Sequence, residues 1–204
     1  MSDYYTPEHA PVNESEMFAF NFNKLLSSKN FVKVVVVSSV SDDGKTVAVM
    51  PLVKKVDATN NPVDNSIVYG IPVAVHQGGK NAVINPPAVG DIGLVLVNDN
   101  DMSQVKSTKV ASLATTKRTH SLSDGVYLMS ILGADPTQYV KFSDSGIDIK
   151  STGGVNITSA SDVNINGLKI SSSGILTLVD GSVVDKHTHS GVESGSSSTS
   201  PLGS

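Results

Sequence analysis

The chain has 204 residues, 39% hydrophobic and 17% charged, which suits one or two domains. A formal charge of -4 with no basic run longer than two residues excludes a nucleic-acid footprint, and no stretch approaches the roughly 20 apolar residues of a membrane span. Absence of cysteine removes disulfides and thiolate metal sites together, while five Phe, five Tyr and no Trp leave a broad globular core undersupplied with rings.

Residues 1–13 are polar, contain two prolines and read as an arm. With neither a basic start nor an apolar signal core, they lead us to expect a product made in the cytoplasm. From Glu14 to Leu26, Phe18, Phe22, Leu25 and Leu26 fall at helical spacing, although Phe18, Phe20 and Phe22 also alternate as in a strand. A short helix is the preferred reading. Its Phe cluster serves either as packing on the next domain or as a docking patch.

Residues 31–97 read as a run of strands. Phe31-Val32-Lys33-Val34-Val35-Val36-Val37 is β-branched, Asp42-Asp43-Gly44 supplies a turn, and Thr46 to Val53 returns to make a hairpin. Further strands are predicted from Ile67 to Val75, interrupted at Pro72, and from Ile92 to Val97 after the Gly90-Asp91 turn. Five or so strands with a helix near one end fit a small closed barrel of the oligonucleotide/oligosaccharide-binding (OB) type. Such a fold alone says nothing about function.

From Ser143 the pattern changes. Gly146-Ile147-Asp148-Ile149, Gly154-Val155-Asn156-Ile157 and Asp162-Val163-Asn164-Ile165 repeat at a spacing of eight residues, and Leu168-Lys169-Ile170 and Leu176-Thr177-Leu178 continue with a slipped count. Strands of three residues cannot bury their own apolar edges, which is why repeats stack. A single-chain β-helix would have scarcely two coils here. Three identical chains wound about one axis would enclose a continuous aliphatic column, so an intertwined trimer is the better reading, and it also accounts for the scarcity of rings.

His187-Thr188-His189 then places two imidazoles on one face of a strand. At the end of a three-fold prism, His187 and His189 of three chains would give six nitrogens. Six nitrogens suit an octahedral first-row metal such as iron or nickel better than zinc, calcium or magnesium. With every position filled by protein, such a site would be structural. His-x-His also opens the metal site of hydrolases on α/β barrels, but that fold needs about 250 residues and further ligands downstream, whereas this chain ends at Ser204 with no later histidine. The bland alternative is a pair in a polar tail holding no metal. His9, His76 and His120 stand singly and read as surface or packing residues. After the pair, residues 190–202 are rich in Gly, Ser and Thr, suiting either a flexible tail or a tight cap. No nucleophile, base and orienting group fall together, so an enzyme is not expected.

A barrel, β-prism repeats, His187-Thr188-His189 and a small-residue ending with Pro201 together resemble the central spike, or membrane-piercing needle tip, of contractile-tailed bacteriophages. Val73-Ala74-Val75-His76-Gln77-Gly78-Gly79, the segment from Pro86 to Leu94 and the segment from Arg118 to Gly125 resemble the barrel domain of baseplate spikes and its exit. The resemblance implies an all-β homotrimer, divided into an arm and short helix (1–20), an OB-like barrel (21–118), a triple-stranded β-helical shaft (119–185) and an apex (186–204). It also implies one iron per trimer, held by His187 and His189 of each chain. Members of the family can trap further ions lower on the axis, but no residue here places one.

On this reading the barrel mounts on the tail hub in the baseplate of the virion, and contraction drives the tip mechanically through the host outer membrane. Larger relatives carry a lysozyme domain, for which this chain has no room, nor does it offer a credible carboxylate pair in its place, so peptidoglycan cleavage is expected of another protein. The competing expectations are a trimeric tail adhesin for host glycans, with Tyr127 and Tyr139 as the sparse aromatic candidates, and a secretion-system spike of the VgrG type.

Overall fold

The computed structural model describes residues 13–57 and 59–186. The Asn13 side chain accepts the Glu16 backbone N–H at 2.9 Å and opens helix α1, Glu14–Ser27. Glu14 and Glu16 lie in its first turn and Lys24 in its last, each sign matched to the helix dipole. The cap resolves the ambiguous phenylalanine spacing in favour of a helix. Phe18 and Phe22, one turn apart, stack at 6.3 Å between centroids.

The chain divides into two units, Met1–Pro136 and Thr137–Ser204. The first is organised by one sheet. Strand β1, Val32–Val40, alternates so that Val35 and Val37 are buried, and it pairs antiparallel with β2, Thr46–Pro51. Their turn is fixed by Asp43, whose carboxylate accepts the Ser41 hydroxyl at 2.7 Å and the Lys45 N–H at 3.1 Å, with Gly44 at φ +68°.

From β2 the chain forms a small hairpin of β3 (Lys55–Val56) and β4 (Pro62–Val63), then β5 (Val68–Pro72). A second hairpin, β6 (His76–Gly78) with β7 (Asn81–Val83), precedes β8 (Ile92–Val97). Helix α2, Ser103–Thr108, and a 3-10 turn, Leu122–Asp124, lead into β9, Gly125–Ser130.

These strands assemble in the order β5-β2-β1-β8-β9, with every neighbouring pair antiparallel. The two outer strands then approach each other. Val73 and Tyr127 form a parallel bridge, and the Ala74 N–H donates to the Tyr127 carbonyl at 2.7 Å, so the sheet curls into a half-barrel. β9 pairs with β8 and supplies Tyr127 to the core, and the first unit continues to Pro136.

Inside the curl lie Val35, Val37, Val47, Val49, Ile71, Val95, Val97, Leu122 and Tyr127. Burial of each such side chain stabilises by about 1.5–3 kcal/mol. Aliphatic side chains fill nearly all of this core, and the single ring is accommodated by a glycine. A Cβ on Gly93 would overlap the Tyr127 ring, so the β8 backbone can lie against that ring only because residue 93 has no side chain. The Tyr127 hydroxyl and Ser130 Oγ are 3.1 Å apart, and Ser130 donates to Asp91 at 3.0 Å.

The second unit contains two small sheets. β10 (Tyr139–Ser143) and β11 (Gly146–Lys150) form a hairpin. β12 (Val163–Ile165), β13 (Leu168–Ile170) and β14 (Leu176–Thr177) form a three-stranded antiparallel sheet, followed by a 3-10 turn, Val184–Lys186. The eight-residue repeat is thus spread over three settings: Ile147 and Ile149 lie in a hairpin, Val155 and Ile157 outside regular structure, and Val163 and Ile165 in the second sheet.

Candidate functional site

No described residue from 137 to 186 is buried. Register determines what is exposed instead. Val140 pairs with Ile149 and Phe142 with Ile147, so four apolar side chains share one face of the β10–β11 hairpin, exposed by 59, 66, 75 and 62% respectively. Tyr139, Lys141, Asp148 and Lys150 occupy the opposite face, where the Lys150 ammonium stands 5.8 Å from the Tyr139 ring centroid.

The second small sheet repeats this division. Val163, Ile170 and Leu176 are register neighbours across three strands and Ile165 pairs with Leu168, while Asn164, Lys169 and Thr177 align on the other face. Its first turn is Asn166-Gly167, both at positive φ (+49° and +94°), as a tight two-residue hairpin requires. The hairpin's apolar face lies in water and that of the second sheet is partly exposed, and together they are the strongest functional signal among the described residues. Soluble proteins rarely leave such faces unpaired unless another surface covers them.

The candidate metal ligands, His187 and His189, lie outside the described residues, which end one position before the pair. The remaining described histidines stand apart. His76 begins β6 and is exposed. His120 is a packing residue: its ring lies 4.7 Å from that of Phe31, its carbonyl accepts the Asn30 N–H at 3.2 Å and its own N–H donates to Asp99 at 3.0 Å. Its Nδ1 is buried without a hydrogen-bond partner, 3.7 Å from the Asp99 carboxylate. Among the described residues, no group of three or more His, Asp or Glu side chains could hold a metal ion.

A cluster that sequence reasoning missed closes the long connection between β8 and β9. Arg118 Nε donates to Asp124 at 2.7 Å, and Nη2 donates to Asp101 at 2.7 Å and to Asp124 at 2.8 Å. Asp101 also accepts the Ser103 N–H and hydroxyl at 2.9 and 2.6 Å and the Thr116 N–H and hydroxyl at 3.0 and 2.9 Å. Asp124 takes the Met102 N–H at 3.0 Å.

Both carboxylates are held below their ordinary range: Asp101 chiefly by the Ser103 hydrogen bonds, then Thr116 and Arg118, and Asp124 chiefly by Arg118. Beside them, Lys106 donates to the Ser123 carbonyl at 2.6 Å, and burial lowers its pKa. Asp101 accepts five hydrogen bonds and Asp124 three, all from donors that tie residues 101–124 together, so the cluster acts as a clasp.

The aromatic residues named for a glycan platform separate. Tyr127 is 2% exposed in the core and cannot stack on a sugar, while the partly exposed ring of Tyr139 lies beneath Lys150.

Residues 34–130 match the family model described as the phage protein Gp138 N-terminal domain. That span runs from early β1 to the last residue of β9 and so coincides with the curled sheet. No curated protein matches the chain. The match supports a structural protein of the phage baseplate type and a place in the virion.

Proposed function

We propose that this chain is the central spike of a contractile phage tail, a homotrimer that pierces the host envelope. The observation that carries the reading is the contrast in burial: among the described residues the buried core lies in the first unit, while the second presents two sheets whose apolar faces are exposed or partly exposed. Three copies joined through those faces would form a shaft whose axis is aliphatic. The strand order β5-β2-β1-β8-β9 and its parallel closing contact suit a partly open OB-type barrel, the module that would mount the spike on the tail hub.

At the tip, His187 and His189 of three chains would supply six imidazole nitrogens. That donor set suits one octahedral iron ion, and with no open position the metal would pin the chain ends and activate no water. Work at the tip is then mechanical, and no catalytic group is required.

Native mass spectrometry with elemental analysis tests this directly. Three chains and one iron per particle are expected. The double variant His187→Ala/His189→Ala should lose the metal and loosen the apex while barrel and shaft stay folded. A monomer without metal, or a double variant that keeps its full iron content, would overturn the assignment. Burial of Tyr127 weighs against the glycan adhesin, which predicts saturable binding of host polysaccharide by the purified trimer.

A further inference from the structure

The half-barrel leaves a cavity of about 920 Å³ at the pole where β9 ends. Its walls include Val40, Val73, Val83, Ile84, Pro86 and Met129. Among these, Val83, Ile84 and Met129 are 68, 79 and 61% exposed, so the chain itself leaves the apolar surface open. Residues 128–130 of β9 form one of its edges. Beyond the Val73–Tyr127 bridge, no described strand pairs with that edge on the side away from β8.

Just past this edge stands Leu132. Its side chain is 80% exposed, and its backbone has φ +53°, a left-handed conformation that a bulky residue seldom adopts without compensation. Leu132 does not line the cavity of its own chain. A large apolar side chain held outward in a strained turn, and an apolar hollow with ample room for it, form two halves of a contact that one chain leaves unjoined.

We propose that the cavity receives Leu132 from a neighbouring copy of this chain, locking the barrels into a ring. The inference rests on the trimeric reading above and adds where the barrels join. Chain length makes it feasible: Leu132 and Tyr139, the first residue of β10, are seven residues apart, at most about 25 Å. Copies associated through the β10–β11 faces therefore hold their exit segments within reach of one another. Leu132 and the cavity are different surfaces, so the contact is heterologous, the kind that closes into a ring when the rotation is three-fold.

Absence of native cysteine makes the test clean. A tagged chain carrying Leu132→Cys and an untagged chain carrying Val83→Cys are co-expressed, and the purified assembly is treated with a short bis-maleimide. The expected product is a covalent dimer of one tagged and one untagged chain, lost when either substitution is omitted. A trimer by native mass that yields no mixed dimer, or only tagged–tagged links through residue 132, overturns this inference and leaves the trimer standing. A monomeric mass overturns both.

Discussion

The two units of this chain differ in how far they bury their apolar residues. In Met1–Pro136 the valines of β1, β2 and β8 point into a curl closed by the chain itself, and Val35, Val49, Ile71 and Val95 are wholly shielded from water. In Thr137–Ser204 residues of the same kind, again alternating at period two, lie on sheets of two and three strands with nothing described across from them. Composition is shared; sheet size is not. The first unit's main sheet joins five strands of five to nine residues and bends around a core, whereas the described sheets of the second join two or three strands of two to five residues and present a face. The first unit closes around a core of its own, whereas the second shows none among its described residues.

The strongest way to break that comparison is to charge the exposed face. Phe142→Asp with Ile147→Asp puts two carboxylates side by side in register, and burying them between copies would cost more than about 3 kcal/mol per chain. If the proposed trimer forms through this face, analytical ultracentrifugation should show its loss in the variant, with the thermal transition of the first unit retained. Equal mass for the variant and the unsubstituted protein would mean that this face does not meet another copy. A smaller effect is expected from Ile71→Ala inside the curl: about 2–5 kcal/mol off the stability of the first unit in denaturant titration. If the truncation cost less than about 1 kcal/mol, the core would not be the closed one described here.

Legibility in the sequence follows the same divide. β1, β2, β5 and β8 could be read because β-branched runs are bounded by Asp-Gly, Pro and Gly-Asp signals, and β1 and β2 meet across the short turn 41–45. β9 was harder to place. Its partner β8 lies across a connection from 98 to 124, so nothing local says that Tyr127 belongs with Val35. The Arg118 clasp was hidden for the same reason: Asp101, Arg118 and Asp124 are scattered in sequence, and only folding brings them within 2.8 Å. In the second unit the eight-residue period was visible, but Asn166-Gly167 was a plain hairpin signal, and it turns β12 back upon β13. The His187 and His189 motif is a property of sequence and lies beyond the described residues.

The clasp offers the finest test of how the first unit holds itself closed. Asp101 has a carboxyl lowered by the Ser103, Thr116 and Arg118 contacts, and its side chain is fully buried. Above the unfolded carboxylate value, near 3.9, both states are ionised and the clasp contributes its whole stabilisation. As pH falls below that value the unfolded chain takes up the proton first, so the contribution is lost progressively toward the depressed folded value. Asp101→Asn should therefore lower stability at pH 7, because it leaves Arg118 with one carboxylate where it had two. It should also flatten the fall in stability between about pH 4 and pH 2 without abolishing it, since Asp124 keeps its own depressed pKa. Urea titrations at stepped pH separate the two effects. An acid slope identical to that of the unsubstituted protein would show that Asp101 titrates alike in both states, and that the clasp stabilises by packing alone.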